Sequence, residues 1–253
     1  IFFYRFLIAY IGIWAISPKH LFADNLKDEL WLVAGGVFGG SLYFFTENTA
    51  LGITQASNVA FIICTAPLLT TILSLLFYKS EKATKGLIYG SLLALIGVGL
   101  VVFNGSVVLK LSPVGDLLTL LAALSWAFYS LVIKRMTGRY PTVFITRKIF
   151  FYGVLTILPA FLLHPLQPDF DVLLQPLVLS NLLFLAVLAS LICYILWNVV
   201  LKQLGTMRAS NYIYLNPLVT MVASVLILHE QITWITLMGA ACIILGVYLA
   251  EKK

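Results

Sequence analysis

The chain carries one spaced motif twice, once in each half. The pattern P-L-x-T-x-x-x-S begins at Pro67 and begins again at Pro217, and the tripeptide Ala-Ser-Asn precedes it both times, at 56–58 and 209–211. Glutamate, threonine and two glycines then follow with matching internal spacing, at Glu81, Thr84, Gly90 and Gly97 and again at Glu230, Thr233, Gly239 and Gly246. We therefore interpret the sequence as a tandem duplication.

Composition places both copies in a lipid bilayer. Apolar residues make up 61% of the 253 residues, charged residues only 10%, and the mean hydropathy is +1.02. A soluble domain carries about 25% charged residues, so the composition excludes an ordinary soluble protein. A duplicated membrane bundle is typical of a carrier whose substrate site lies between the repeats near the midplane.

Turn-forming and charged residues divide the sequence into apolar segments of membrane-spanning length. About 20 helical residues cross about 30 Å of hydrocarbon at 1.5 Å per residue. The pattern predicts an all-α integral membrane protein with nine visible transmembrane helices of a ten-helix bundle. The predicted helices lie at about 1–16, 30–51, 56–78, 86–104, 114–134, 142–163, 178–201, 209–228 and 233–250.

Basic residues are distributed unevenly between the two ends of these helices. They follow the first, third, fifth, seventh and ninth predicted helices, whereas the alternate connections hold only Lys110 and are otherwise acidic. By the positive-inside rule the first set of connections is cytoplasmic, and so is the C-terminus. The net charge of +6 therefore reflects membrane topology, and nucleic acid is not an expected partner.

The repeat also predicts a helix upstream of Ile1. The pattern Phe-x-x-Arg at residue 2 returns at residue 144, so the first visible helix corresponds to the second helix of the later copy, and the helix at 114–134 has no counterpart. We expect one more span of about 30 residues with its loop. Two five-helix repeats, 1–110 and 111–253, then enter the membrane in opposite orientations, because five is odd.

Several segments together are similar to one known family. They are Glu-Asn-Thr-Ala-Leu at 47–51, Ala-Leu-Ser-Trp-Ala-Phe-Tyr-Ser at 123–130, Arg-Ala-Ser at 208–210 and Asn-Pro at 216–217. In order and spacing the chain resembles the EamA-type carriers of the drug/metabolite transporter superfamily. The family usually has Gly-Glu after each proline helix, where this chain has Ser-Glu and His-Glu. The resemblance implies a bacterial inner-membrane carrier with two inverted repeats and a central cavity, and many such carriers export amino acids or other small metabolites.

Glu47 is the most unusual residue inside a predicted helix. An ionised carboxylate in hydrocarbon costs several kcal/mol, so such acids face a cavity or a partner. We predict that Glu47 accepts a proton or binds a substrate amine; the alternative is a structural pair with Arg5. Tyr43 lies one turn earlier on the same face and is predicted to orient the group that Glu47 contacts.

Aromatic and amide side chains occur at mid-depth in three further predicted helices. Their N–H and O–H groups require partners in a bilayer, and a polar cavity supplies them. Core packing and hydrogen bonding between helices are the alternatives. With Tyr43 and Glu47, the predicted substrate-binding residues are Trp126, Tyr129, Trp197, Asn198, Tyr212 and Asn216.

Three other features have a structural interpretation beside a functional one. Arg147 and Lys148 either extend to the headgroups or anchor an anion. Pro67 and Pro217 each free a carbonyl one turn earlier, which provides a bending point. The glycines favour close helix packing or a dimer interface, so the chain is expected to be a monomer or a homodimer.

Missing motifs exclude several other functions. The sequence has no Gly-x4-Gly-Lys-Ser/Thr loop, its three cysteines lie in apolar segments, and its three histidines fall in separate loops. We predict no cofactor, metal or catalytic residue, and the bilayer and a small-molecule substrate as partners. The leading hypothesis is a secondary transporter of the exporting type. The alternatives are a channel-like facilitator and a membrane-embedded enzyme acting on lipids.

Overall fold

A computed structural model describes residues 1–17, 21–78, 82–103, 112–163, 170–228 and 232–252. Over those ranges the chain forms helices and no strand. The all-α prediction is thereby confirmed. In chain order the helices are α1 (Phe2–Ile16), α2 (Leu26–Gly36), α3 (Leu42–Ile53), α4 (Ala56–Ile63), α5 (Ala66–Phe77), α6 (Lys85–Phe103), α7 (Pro113–Thr137), α8 (Thr142–Ile157), α9 (Ala160–Leu163), α10 (Phe170–Leu173), α11 (Pro176–Leu183), α12 (Cys193–Leu204), α13 (Thr206–Asn211), α14 (Asn216–Leu228) and α15 (Trp234–Glu251).

Several of these helices, some joined end to end, are long and apolar enough to cross a membrane. Within the described ranges six segments satisfy both criteria, and α1 is a shorter apolar helix. Large apolar side chains such as Ile96 and Met238 are well exposed, as expected of surfaces that contact lipid. The six segments are Ala56–Phe77, Lys85–Phe103, Pro113–Thr137, Pro176–Leu204, Thr206–Ile227 and Trp234–Glu251.

Two predicted helix boundaries differ from the structure for identifiable reasons. α2 begins at Leu26 rather than at 30, because the Asn25 side chain accepts a hydrogen bond from the Asp28 amide at 2.8 Å and caps the helix. The helix predicted at 142–163 ends instead at Ile157. Pro159 follows, and its ring nitrogen cannot donate to the carbonyl one turn earlier.

The repeated prolines, predicted as bending points within continuous helices at 56–78 and 209–228, coincide with interruptions of those helices. α4 ends at Ile63 and α5 begins at Ala66, just before Pro67. A 3₁₀ segment, Tyr212–Leu215, separates α13 from α14 just before Pro217. Each proline lacks the N–H that would bond the carbonyl four residues earlier, so each helix is broken at the same place in the repeat.

The repeated threonines cap the last helix of each copy. The Thr84 hydroxyl accepts a hydrogen bond from the Leu87 amide at 3.1 Å, and the Thr233 hydroxyl accepts one from the Thr236 amide at 3.2 Å. Threonine at an N-cap supplies an acceptor that the first helical turn lacks. This part of the repeated motif therefore sets where α6 and α15 begin; Glu81 and Glu230 lie outside the described residues.

The chain forms two compact units, and each draws on both halves of the sequence. Unit 1 comprises Ile1–Phe44 and Phe128–Gln203, and unit 2 comprises Phe45–Ala127 and Leu204–Lys253. In unit 1, α1, α2 and the π-helical segment Val37–Ser41 pack against α8. A Cβ atom at Gly36 would lie 2.4 Å from Tyr152 Cβ, so glycine is what allows these helices to approach so closely.

Unit 2 is organised around the contact between α6 and α15. A Cβ at Gly90 would lie 2.4 Å from the Gly246 carbonyl oxygen, and one at Gly97 would lie 2.6 Å from the Gly239 carbonyl oxygen. The earlier glycine of one helix meets the later glycine of the other, so α6 and α15 run antiparallel. The close packing predicted for these repeated glycines is confirmed.

Candidate functional site

Unit 1 contains a buried hydrogen-bonded chain that includes two of the predicted substrate-binding residues. The hydroxyl of Tyr129, on α7, donates to Asn198 Oδ1, on α12, at 2.7 Å. Asn198 Nδ2 then donates to the Thr146 hydroxyl, on α8, at 2.9 Å. The side chains of Tyr129 and Asn198 are both fully buried. The Asn198 amide thus links three helices inside unit 1, as buried amides in a membrane protein must.

A second polar contact lies beside this chain. The Tyr194 hydroxyl donates to the Gly39 carbonyl oxygen at 2.6 Å, and the Tyr194 ring centroid lies 6.0 Å from that of Tyr129. Gly39 belongs to the π-helical segment, and a Cβ there would lie 2.3 Å from the Tyr129 ring. The local departure from α-helical geometry therefore occurs where a tyrosine ring and a tyrosine hydroxyl both contact the glycine backbone.

The other predicted residues of unit 1 lie on the same helices. Tyr43 and Trp197 are half-buried, and the Tyr43 ring packs edge-on against Phe44 at 4.9 Å. The guanidinium of Arg5 lies 4.8 Å from the Phe44 ring centroid, and its Nε donates to the Ser190 hydroxyl at 2.8 Å. Arg5, the alternative partner predicted for Glu47, thus contacts Ser190 and Phe44 within unit 1.

Charged side chains form a cluster that sequence reasoning missed. Glu29 is paired with the ammonium of Lys148 and accepts hydrogen bonds from the Tyr152 hydroxyl and, at 2.6 Å, from the Ala23 amide. Lys148 Nζ also donates to the Leu21 carbonyl oxygen at 3.0 Å. The anion that Lys148 contacts is therefore a side chain of the same unit.

Two neighbouring groups extend the cluster. Arg139 donates to both carboxylate oxygens of Asp28, at 2.9 and 3.0 Å, and the Tyr140 hydroxyl donates to Asp28 at 3.0 Å. Burial raises the pKa of Tyr140 and the charge of Asp28 raises it further, so the phenol stays protonated and donates. Arg147 donates to the Ser17 carbonyl oxygen. Together these contacts hold the connection before α2 against the start of α8.

Unit 2 contains a cavity of about 530 Å³, within the usual range for small-molecule sites. Side chains of α4, α6, α14 and α15 line it, so both copies of the motif contribute. Its described lining is apolar or uncharged polar. The polar groups are supplied by Ser57, Asn216, Thr220 and Thr236, beside the thiol of Cys64.

Of the four predicted residues in unit 2, Asn216 lines this cavity. Glu47 and Trp126 are half-buried on α3 and α7, and Tyr212 is 39% exposed in the 3₁₀ segment before Asn216. The structure thus brings Tyr129 and Asn198 into direct contact and places Asn216 in a cavity. The substrate-binding roles of all eight residues stay predictions.

Unit 2 also contains polar contacts between helices of the first and second halves of the sequence. The hydroxyls of Ser74, on α5, and Thr206, on α13, lie 3.0 Å apart. The Ser91 hydroxyl, on α6, donates to Asn211 Oδ1 at 2.9 Å. All four side chains are buried. The repeated serine and asparagine were the sequence signal for these contacts, although the sequence alone does not identify their partners.

No described group of three or more histidine, cysteine or acidic residues is arranged to hold a metal ion. Cys64, Cys193 and Cys242 are free thiols. The three histidines lie outside the described residues.

Comparison with known proteins gives consistent matches along the whole chain. The model of the EamA-like transporter family matches residues 1–103 and 113–251. An uncharacterized transporter of Archaeoglobus fulgidus is 28% identical over 255 residues, which cover 99% of this chain and 86% of that protein. The uncharacterized transporter YyaM of Bacillus subtilis is 30% identical over 228 residues, covering 85% and 70% of the two chains.

Two further matches concern function and fold. A protein of Salmonella typhimurium named a probable amino-acid metabolite efflux pump is 27% identical over 245 residues, covering 92% of this chain and 80% of its own. A protein of known crystal structure superposes with a TM-score of 0.79 at 18% identity, over 98% of this chain and 85% of that one. This last similarity establishes a shared fold.

Proposed function

Because this chain belongs to the EamA-like transporter family, we propose that it is a secondary carrier that exports small organic metabolites such as amino acids. The cavity in unit 2 is the observation that carries the proposal. It is large enough for an amino acid, and its described lining offers hydroxyl and amide groups but no charged side chain. A relative named a probable amino-acid metabolite efflux pump supports both the substrate class and the direction.

The carrier works by alternating access, built on two inverted repeats, 1–110 and 111–253. The antiparallel contact of α6 with α15 supports this arrangement. If the two copies are exchanged, Gly90 becomes Gly239 and Gly97 becomes Gly246, so the pair Gly90–Gly246 becomes the pair Gly97–Gly239. A contact that maps onto itself in this way is expected of repeats related by a two-fold axis in the membrane plane.

The eight predicted residues contribute substrate contacts, and Glu47 couples export to protons. A half-buried carboxylate on an apolar helix is suited to exchange a proton during the cycle. The protein lies in the bacterial inner membrane with its C-terminus in the cytoplasm, as the distribution of basic residues indicates.

Uptake into liposomes tests the proposal. Reconstituted protein should take up a labelled amino-acid mixture saturably, and an imposed proton gradient should accelerate uptake. We expect Trp126→Ala to lower uptake by at least about tenfold, as for loss of a central aromatic contact. Trp234→Ala, at a side chain that is 82% exposed, is the matched control and should leave uptake unchanged.

Proton coupling is tested in the same vesicles. Glu47→Gln should abolish the dependence of uptake on the proton gradient, whereas Asp171→Asn, at an exposed carboxylate, should retain it. An unchanged pH dependence in Glu47→Gln would exclude Glu47 as the coupling residue. Uptake that rises linearly with concentration without saturating would point instead to a channel-like facilitator.

A further inference from the structure

Unit 2 has a second, smaller pocket, of about 230 Å³, at the start of α13. Small-molecule sites usually measure about 300 to 1,000 Å³, so this pocket suits a small chemical group better than a whole metabolite. We call it the basic pocket, because its described lining includes two cations and no acidic residue. That lining consists of Lys82, Leu204, Gly205, Thr206, Met207 and Arg208.

The packing of α5 against α13 brings the two cations to one place. Arg208 lies in α13, and Lys82 lies in the connection from α5 to α6. The two helices are in contact, and the hydroxyls of Ser74 and Thr206 lie 3.0 Å apart between them. Gly205 makes the turn before α13 with a φ of 80°, a conformation that glycine adopts at little cost. Two cations that are far apart in the sequence therefore line the same pocket.

The cations of the basic pocket differ from the buried cation of unit 1 in their partners. In unit 1 the ammonium of Lys148 is paired with Glu29. No described residue forms an ion pair with Lys82 or Arg208, although Arg208 is half-buried. Partial burial removes some of the water that solvates a guanidinium, so an anion beside it is favoured. An anion from outside the chain would supply the missing counter-charge.

The repeat has glutamine at both equivalent positions of the other copy. The segment Arg-Ala-Ser-Asn at 208–211 corresponds to Gln-Ala-Ser-Asn at 55–58. The residue after the repeated glutamate is Lys82 in one copy and Gln231 in the other. The positive-inside rule accounts for basic residues at one end of the protein, but it does not direct two of them into one pocket. Because glutamine occurs at both equivalent positions, we expect the fold to accept it in place of either cation.

We infer that the basic pocket binds a phosphate group, carried either by the headgroup of an anionic phospholipid or by a soluble phosphate. The planar guanidinium of Arg208 is suited to donate two parallel hydrogen bonds to phosphate oxygens, and Lys82 supplies a second positive charge. The proposed topology puts this end of unit 2 at the cytoplasmic surface, where basic pockets between membrane helices bind anionic headgroups. Binding there is independent of which substrate the protein carries.

Exposed apolar side chains at the same end of α5 favour the lipid as the source of the phosphate. Leu204, in the pocket wall, is 41% exposed. Leu76 and Phe77, in the last turn of α5, are 70% and 64% exposed. An acyl chain that lies against such side chains leaves its headgroup at the level of the pocket.

Native mass spectrometry of the purified protein in detergent tests the lipid source. Phosphatidylglycerol is titrated against phosphatidylcholine, which has the same phosphodiester but no net charge. Lys82→Gln/Arg208→Gln introduces the residues of the other copy. We expect this variant to bind phosphatidylglycerol about 30-fold more weakly than the unmodified protein, from about fivefold for each cation. Lys27→Gln/Lys85→Gln removes two exposed cations outside the described lining and should bind nearly as tightly as the unmodified protein.

Inorganic phosphate tests the soluble source. Thermal unfolding is followed in phosphatidylcholine nanodiscs as phosphate is added, with chloride at equal ionic strength as the control. Stabilisation by phosphate that is lost in Lys82→Gln/Arg208→Gln, without preference for phosphatidylglycerol, would assign the pocket to a soluble phosphate. Arg208→Lys keeps the charge and should retain most of the binding in either case, which separates loss of charge from misfolding.

Two results would overturn the inference. One is that neither phosphatidylglycerol nor phosphate binds the unmodified protein more tightly than it binds Lys82→Gln/Arg208→Gln. The other is that Lys27→Gln/Lys85→Gln loses as much affinity, since the attraction would then come from surface charge in general. Neither result depends on transport of amino acids, so the phosphate site and the carrier proposal fail separately.

Discussion

Lys148 shows how this fold accommodates a cation in the interior of an apolar helix. Its side chain is only 4% exposed, and its ammonium contacts the carboxylate of Glu29 and the carbonyl oxygen of Leu21. A buried ion pair adds little net stability, because desolvating two charges offsets most of their attraction. Removing one partner is costly, because the other charge is then buried without a counter-charge.

We expect Lys148→Met to lower the free energy of unfolding by about 3 kcal/mol. Glu29 would keep its hydrogen bonds from Tyr152 and Ala23 but lose its cation. The double variant Glu29→Gln/Lys148→Met should recover at least about 1 kcal/mol, because neither charge then stays buried alone. Thermal unfolding in detergent measures both, with the exposed Lys202→Met as control. Equal stability of the single and double variants would contradict a coupled pair.

At this scale the sequence identified the unusual residues better than their partners. Lys148 and Arg147 stood out because cations are rare inside apolar helices, and the sequence left open whether an anion meets them. Glu29 follows an asparagine cap and looks like an ordinary first-turn acid, so no local pattern pairs it with α8. Likewise Asn198 was recognised as a buried amide, but Tyr129 and Thr146 as its partners emerge only from the packing of three helices.

Helix packing in unit 2 depends on glycine where backbones meet. At Gly97 a Cβ atom would lie 2.6 Å from the Gly239 carbonyl oxygen and 2.8 Å from the Ile243 amide nitrogen. Both are backbone atoms, which cannot rotate away as a side chain can. At Gly52, also in a helix, nothing lies within 4 Å of the corresponding position.

Gly97→Ala should therefore destabilise the protein by about 2 kcal/mol, because α6 and α15 must move apart to admit the methyl group. Gly52→Ala should leave stability unchanged or raise it by up to about 1 kcal/mol, since alanine has the higher helix propensity. Thermal unfolding of the two variants in the same detergent compares them directly. A Gly97→Ala protein as stable as Gly52→Ala would mean that the helices do not approach this closely.

Several element boundaries are set by a single residue, and such local signals can be recognised in the sequence. Pro67 and Pro217 mark helix breaks because a missing N–H acts locally. Pro159 ends α8 in the same way and Asn25 caps α2, and the predicted bounds at 142–163 and 30–51 include neither signal. The π-helical segment Val37–Ser41 was not predictable from local sequence, because Gly39 there contacts Tyr129 and Tyr194, which are distant in the chain.

For the whole molecule, the duplication was readable from sequence but the packing of the copies was not. Spacing alone revealed two equivalent sets of helices. The compact units nevertheless mix the two halves, since α6 packs on α15 and α5 on α13 within unit 2. Contacts between helices that are far apart in the sequence depend on how their surfaces fit together. The spacing of residues within one copy does not encode that fit. In the sequence, only small residues such as Gly97 indicate where two of these helices pack closely.

A disulfide between Ser74→Cys and Thr206→Cys should stop transport by holding α13 against α5. The two hydroxyl oxygens lie 3.0 Å apart, so sulfur atoms in their place reach bonding distance with a small shift. In a background without native cysteines, oxidation should lower amino-acid uptake at least about tenfold, because a carrier confined to one state cannot complete its cycle. Reduction should restore uptake, and neither single variant should respond to oxidant. Mass spectrometry establishes that the bond has formed; full transport by the cross-linked protein would mean that α13 and α5 stay together throughout the cycle.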